Sequence, residues 1–163
     1  MMERDQAIRK DSAASKPDSA YLARWIAVDE ANTSRLKLIV AQYGWPGPEM
    51  VGHDGVLAAF LLVQHADRDP AFQQATLPLV REAYLAGKIP GENYALLQDR
   101  VLVGEGQPQI YGSQCRLAPD GTKWVPQPIE DEAHVDQRRR EVGLGPLAEY
   151  LVLNNKLNPI SAR

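Results

Sequence analysis

The chain contains few of the residues that build disulfides or metal centres. Its 163 residues include one cysteine, Cys115, and three histidines. A single cysteine excludes an internal disulfide and any zinc cluster built from cysteines. We expect Cys115 to be a small core residue. The histidines are not spaced to share a metal ion on one helix, so we expect no metal site.

Long apolar runs and an excess of basic charge are also missing. No stretch approaches the roughly 18 apolar residues of a membrane helix, and residues 1–17 lack the apolar segment of a signal peptide. The net charge is -3, and acidic residues flank the basic run at 138–140. The missing apolar runs lead us to expect a cytoplasmic protein without a membrane partner. We expect no nucleic-acid partner either, because binding to phosphates needs clustered Lys and Arg.

Cofactor and nucleophile motifs are absent too. The sequence has no GxGxxG or Walker A loop, no GxSxG nucleophile elbow and no HExxH. Any site must therefore be built from ordinary side chains, and we expect no cofactor.

Helical periodicity dominates the first two thirds of the chain. Apolar residues recur every three to four positions, with Asp18 or Ser19 placed to cap the first long helix. Asp54 can cap the strongly apolar helix that follows. Asp69 and Pro70 are typical of the cap and first position of a further helix.

The pattern changes after residue 104. Residues 107–117 and 123–125 are predicted to be strands, joined by a turn at Asp120-Gly121. We predict an α+β, mainly helical fold, with about five to seven helices packed around a small antiparallel β-hairpin. The predicted organisation is a disordered leader at 1–17, a single globular domain at 18–153 and a polar tail at 154–163.

A first polar cluster, Gln64-His65-Ala66-Asp67, lies where the apolar helix ends. Gln64 and Asp67 share a helical face, and His65 lies about 100° away from Gln64. A histidine beside a carboxylate is suited to general acid/base catalysis near neutral pH. The alternative is a buried histidine that bonds a carbonyl and joins two helices.

A second polar cluster runs from Gln107 to Gln114. Strand alternation would place Gln107, Gln109, Tyr111 and Ser113 on one face, and a bulge at Gly112 would let Gln114 join them. Such a surface could orient a substrate through amide hydrogen bonds, with Tyr111 as a donor. The alternative is a solvent-facing hairpin.

Two further groups carry charge. Asp99 could form a surface pair with Arg100 or direct its carboxylate toward the hairpin. Arg138 and Arg139 could form a fork for a ligand carboxylate or phosphate. The alternative is exposed helical ion pairs of Asp136 with Arg139 and Arg140.

The motifs occur in an order that resembles a bacterial family known only as a domain of unknown function. The resemblance covers roughly residues 20–152, and this chain has Ser113 where the family pattern more often has threonine. The family implies no established activity, but it implies that these polar residues form a recurrent signature. The motifs are Asp29-Xaa-Xaa-Asn32-Thr33, Gly44-Trp45-Pro46, Gln64-His65-Ala66-Asp67, Asp99-Arg100-Val101, Gln109-Xaa-Tyr111-Gly112-Ser113-Gln114 and Asp136-Xaa-Arg138-Arg139.

We predict a cofactor-independent acid/base enzyme, a hydrolase or an isomerase or epimerase, acting on a small polar or peptide-like substrate. In this prediction, His65 is the acid or base, Asp67 or Asp99 orients it, and Tyr111 stabilises an oxyanion. One alternative is a non-catalytic peptide- or protein-binding module, such as a neutralising partner protein, and another is a purely structural polar network. The residues predicted to position the substrate are Gln64, Gln109, Gln114, Arg138 and Arg139.

Overall fold

The computed structural model describes residues 1–11 and 18–160. Contacts group the chain into two compact units, Met1–Ile89 and Pro90–Arg163. The single domain predicted for residues 18–153 spans parts of both units.

The predicted fold class is confirmed. The described residues contain seven α-helices and one antiparallel hairpin of two strands. Within these residues, no helix is both long and apolar enough to cross a membrane.

The first unit is entirely helical in its described part. Its core is formed by side chains with almost no exposed surface, among them Tyr21, Leu36, Val63 and Val80. Packing of these apolar faces supplies most of the stability of such helices. The four helices are α1 Met2–Lys10, α2 Ser19–Tyr43, α3 Pro48–Gln64 and α4 Pro70–Leu85.

Two predicted helix starts are confirmed in this unit, and the third lies next to a break inside α3. The Asp18 side chain accepts a hydrogen bond from the Tyr21 N–H at 2.7 Å, and Asp69 caps α4 in the same way. α3 begins at Pro48, but it consists of two helical segments that meet at Gly52, so its apolar segment begins within two residues of the start predicted at Asp54. Gly52 has a φ of +69°, a conformation that glycine adopts without steric cost.

The prediction of a disordered leader is wrong for residues 2–10, because these residues form α1. This helix is short and polar, and its one fully buried residue is Asp5. Helices of this length are not stable alone, so tertiary contacts must hold α1 in place. Residues 12–17 of the predicted leader lie outside the described residues.

The second unit contains the hairpin and the remaining helices. Strands β1 Cys115–Leu117 and β2 Trp124–Pro126 pair with Arg116 opposite Val125. The predicted turn at Asp120-Gly121 joins them, and part of the predicted tail, residues 154–157, belongs to the last helix. The helices are α5 Gly91–Gly104, a 3-10 turn Glu132–His134, α6 Val135–Glu141 and α7 Leu147–Leu157.

The predicted strand over 107–117 is too long. Only residues 115–117 are strand, and the segment before them is a loop with one isolated bridge between Gln109 and Ile129. Gly112 has a φ of +71°, which a continuous strand excludes. The predicted alternation of faces from Gln107 to Ser113 is therefore wrong.

Replacing Gly112 by alanine is expected to lower the free energy of unfolding by about 1–3 kcal/mol more than replacing Gly121. Both glycines have a φ of +71°, so both variants suffer the same backbone strain. A Cβ at Gly112 would lie 2.9 Å from Leu147 Cδ1 and 3.0 Å from Ile129 Cδ1, whereas a Cβ at Gly121 has nothing within 4 Å. Urea denaturation of both variants measures the difference. Equal losses would show that the loop yields around the added methyl group.

Candidate functional site

His65 lies at the C-terminal end of α3, and its carboxylate partner is Asp5 of α1. The imidazole Nδ1 is 2.9 Å from Asp5 Oδ1 and 3.1 Å from Asp5 Oδ2. The Asp5 side chain is fully buried, whereas 22% of the His65 side chain is exposed. The pair therefore joins a carboxylate in the core to an imidazole at the surface.

The charge of Asp5 determines which His65 nitrogen carries the proton. An ionised carboxylate facing Nδ1 repels a lone pair there and attracts an N–H. With the proton on Nδ1, Nε2 keeps a lone pair. The Arg9 Nε–H is also directed at Nδ1, at 3.0 Å, and at Asp5 Oδ1, at 3.3 Å, so a carboxylate and an N–H donor both approach this nitrogen.

Hydrogen bonds keep Asp5 ionised despite its burial. Burial raises the pKa of this carboxyl, but hydrogen bonds from His65 and Gln6 outweigh it, and the pKa is lowered to about 2. Gln6 Nε2 donates to Oδ2 at 2.9 Å, and Arg9 Nη2 donates to Oδ1 at 3.1 Å. Both oxygens are thus fully engaged, which fixes the orientation of His65.

Arg9 links Asp5 to a second carboxylate, that of Asp29 on α2. Arg9 Nη2 donates to Asp29 Oδ1 at 2.8 Å, and the guanidinium lies 4.7 Å from the Trp25 ring centroid. The Trp25 indole N–H donates to Asp29 Oδ2 at 2.8 Å. Burial raises the pKa of Asp29, and Arg9 opposes the rise. These bonds attach α1 to α2.

The exposed edge of His65 lines a cleft of about 130 Å³. That volume holds a few water molecules or a ligand of several non-hydrogen atoms, since one water occupies about 30 Å³ in the liquid. Carboxylate and hydroxyl side chains dominate the walls. The lining residues are Asp29, Glu30, Thr33, Ser34, His65, Ala66, Arg68 and Asp69.

The other two residues of the first predicted cluster have different surroundings. Asp67 is exposed, and its Oδ1 accepts from Gln73 Nε2 at 3.3 Å. Gln64 is buried, and its carbonyl accepts from the same amide at 3.4 Å. The expectation that Asp67 orients His65 is therefore corrected, because Asp5 occupies that position.

Asp99 holds a loop of the second unit. It is fully buried on α5, and its Oδ1 accepts from the N–H groups of Ile110 at 2.8 Å and Tyr111 at 3.0 Å. Its Oδ2 accepts from the Ser113 N–H at 2.8 Å. The carboxylate thus replaces the strand partner that these amides lack, and Asp5, not Asp99, orients His65.

The glutamines of the second predicted cluster hold the same loop. Gln109 is fully buried, and its side chain bonds the Gln114 N–H, the Gln114 carbonyl and the Gln127 carbonyl at 2.8–2.9 Å. The Gln114 amide bonds the Ser113 hydroxyl at 3.0 Å. Gln109 and Gln114 therefore form a mutually bonded network rather than the predicted open surface.

The two arginines also bind backbone of this loop. Arg139 is buried, and it donates to the carbonyls of Tyr111 at 2.7 Å and Gly145 at 2.6 Å. Arg138 Nε donates to the Ile110 carbonyl at 3.0 Å. These bonds to backbone carbonyls differ both from the predicted ligand fork and from the predicted ion pairs with Asp136, whose Oδ1 accepts from the Leu147 N–H at 2.8 Å.

Sequence comparison places this chain in a family. Residues 1–160 match the model of a family of unknown function, DUF6624. The chain belongs to this family. No curated protein and no solved structure matches the chain. The DUF6624 match begins at residue 1, so it includes α1 and with it Asp5 and Arg9.

Sequence reasoning missed these two residues of the DUF6624 chain. Asp5 and Arg9 lie in a polar stretch that was predicted to be disordered. Their only signal was the i, i+4 spacing of opposite charges, which also occurs on ordinary exposed helices. Within residues 1–11 and 18–160, no group of three or more His, Cys, Asp or Glu side chains is arranged to hold a metal ion.

Proposed function

We propose that this protein is an acid/base enzyme in which His65 is the proton-transferring group and Asp5 orients it. One observation supports this most directly: a partly exposed imidazole lines a cleft, and its Nδ1 lies 2.9 Å from a fully buried carboxylate. The open face gives a substrate in the cleft access to the imidazole.

The arrangement supports a simple proton transfer. Nε2 removes a proton from a water molecule or from an O–H or C–H of the substrate in the cleft. The imidazolium that forms is paired with ionised Asp5, which Arg9 and Gln6 keep in place. The same Nε2 then returns the proton to a leaving group or to another position of the substrate.

This chemistry is that of a hydrolase or of an isomerase or epimerase. The step uses only protein side chains, so we propose a cofactor-independent reaction on a small polar or peptide-like substrate. The lone cysteine and the weak net charge support a cytoplasmic protein, which we include in the proposal.

A screen of ester, amide and α-proton exchange substrates tests the proposal with a matched pair of variants. His65→Gln is expected to lower turnover at least about a hundredfold. His134→Gln is the control, since His134 also lies 2.8 Å from a carboxylate, that of Asp131, but both side chains are exposed. We expect turnover of the control to be unchanged.

Two results would contradict the proposal. One is equal turnover by His65→Gln and the wild type on every substrate that the wild type converts. The other is an equal loss in both variants, which would show that any histidine–aspartate pair has the same effect.

A non-catalytic binding module is the second candidate, and it is favoured by exposed apolar residues on α7. Val152 is 72% and Leu157 67% exposed, with Leu153 between them. Glu149 and Lys156 lie beside this apolar face, as at many binding surfaces. Absence of turnover, together with capture of a partner that Val152→Asp abolishes, would favour this candidate.

A further inference from the structure

We propose that α7 is a contact surface between two copies of this chain, and that the two α7 helices pair antiparallel about a twofold axis between Val152 and Leu153. This pairing is independent of the proposed function, because His65 and α7 belong to different units. It is carried by an exposed apolar face on α7 and by two opposite charges whose positions on that face fit a second copy of the same helix.

The exposed face of α7 is apolar at its centre and at its C-terminal end. Val152 is 72%, Leu153 53% and Leu157 67% exposed. Leu153 and Leu157 are neighbours on the helix surface because they are four residues apart. Monomeric proteins seldom expose large contiguous apolar patches, so this face is typical of a contact surface.

The other faces of α7 are attached to its own unit. Leu147 is buried, and the Tyr150 hydroxyl donates to the Ser113 carbonyl at 2.7 Å. The Asn155 side chain accepts from the Trp124 N–H at 2.7 Å and donates to the Trp124 carbonyl at 3.0 Å. These bonds hold the helix in place with its apolar face outward, so a partner meets a surface that is already formed.

Two exposed charges lie on the same face. Glu149 and Lys156 line one surface patch together with Val152 and Leu153. At about 100° per residue, both charges lie between Val152 and Leu153 around the helix axis. They are about 10 Å apart along the helix, too far to pair with each other. Among the described residues, neither has an ion-pair partner.

The spacing of these charges fits a second α7 in the antiparallel direction. A twofold axis midway between Val152 and Leu153 places Glu149 opposite the partner's Lys156, and Lys156 opposite the partner's Glu149. Two ion pairs then flank a central contact of Val152 with the partner's Leu153. A parallel pair would oppose like charges, which repel. A twofold interface must be complementary to itself, and this face meets that condition, which favours a second copy over a foreign partner.

The length of the helix limits the strength of the dimer. α7 has 11 residues and is therefore about 16 Å long. We expect a pair of such helices to bury less than the roughly 1,200 Å² of a stable complex. The dimer should accordingly be reversible, with a dissociation constant on the order of 10–100 µM.

Sedimentation equilibrium of the full chain, from about 1 µM to about 1 mM, measures this association. We expect Val152→Asp to weaken dimerisation at least about tenfold, because it brings two like charges close to the axis. Leu38→Asp is the matched control. Leu38 is 61% exposed on α2, outside the proposed surface, so this variant should dimerise as the wild type does.

Charge reversal tests the antiparallel pairing. Glu149→Lys and Lys156→Glu each oppose like charges, so each should weaken dimerisation about tenfold. The double variant restores both ion pairs with their signs exchanged, and its affinity should return to within about threefold of the wild type. Each change also opposes the helix dipole, since Glu149 lies in the first turn and Lys156 in the last. Stability of the monomer should therefore be lowest in the double variant, and recovery of dimerisation alone is specific to pairing between two α7 helices.

Three results would overturn the dimer: a wild type that stays monomeric over the whole range, association that Val152→Asp leaves unchanged, or a double variant that associates no better than the single ones. A monomeric chain whose α7 binds a different protein would also overturn it, and would assign this face to a foreign partner.

Discussion

The Asp5→Asn variant is expected to release α1, with a loss of about 3–5 kcal/mol in the free energy that holds this helix in place. Asp5 is fully buried and accepts hydrogen bonds from Arg9, His65 and Gln6. Asparagine removes the charge that balances Arg9 and substitutes a donor for one acceptor oxygen. Because α1 is too short to persist alone, its backbone amides should exchange with solvent far faster.

Hydrogen exchange of residues 2–10 measures this loss, and Asp11→Asn is the matched control. Asp11 follows α1 and lies 3.9 Å from Arg24, with both side chains partly exposed. Such a pair is worth at most about 1 kcal/mol, so the control should exchange nearly as the wild type does. Unchanged exchange in Asp5→Asn would show that apolar contacts, and not the carboxylate, hold α1.

Acid should weaken the same contact in the wild type. The pKa of Asp5 is lowered from 3.8 to about 2, so the folded state favours the charged form. The stabilisation, about 2 kcal/mol from this difference, is complete above about pH 4 and is lost as the pH falls through 2. Exchange of α1 in Asp5→Asn should lack this dependence.

The Asp99→Asn variant is expected to lower the free energy of unfolding of the second unit by about 3–5 kcal/mol. The two oxygens of Asp99 accept three backbone N–H groups at 2.8–3.0 Å in a fully buried position. Asparagine offers one oxygen and one NH₂ group, so at least one buried N–H faces another donor. Charge-assisted bonds to the remaining amides are also lost.

Urea denaturation, combined with hydrogen exchange of residues 109–114, measures this effect. Asp120→Asn is the control, because Asp120 also accepts a backbone N–H, that of Thr122 at 3.0 Å, but in an exposed turn. The free energy of unfolding of Asp120→Asn should fall by less than about 1 kcal/mol. If the two variants lost equal stability, the burial of Asp99 would not be what makes its bonds strong.

Local signals were sufficient for much of the fold. Asp18 and Asp69 cap their helices as predicted, because an N-cap depends only on a side chain and the amides two or three residues later. The hairpin turn at Asp120-Gly121 likewise depends only on residues that are neighbours in the chain. These features involve residues close in the chain, which a single sequence displays directly.

The candidate site was only half predictable. His65 was identified from its position at the end of an apolar helix. Its partner Asp5 lies 60 residues away in a polar segment, and nothing local distinguishes Asp5 from an exposed carboxylate. Likewise, the loop before β1 has the alternation of a strand, and only Asp99, 11 to 14 residues earlier, supplies the acceptors that let it depart from one.

By itself, the sequence determined the mainly helical class, the caps at Asp18 and Asp69 and the hairpin turn, and it singled out His65 as a candidate. The tertiary structure alone decided which carboxylate faces the imidazole, and that Asp99, Gln109 and Arg139 hold a loop. The physical reason is that a buried charge is stable only where partners from distant segments converge on it. Side-chain spacing along the chain does not encode that convergence.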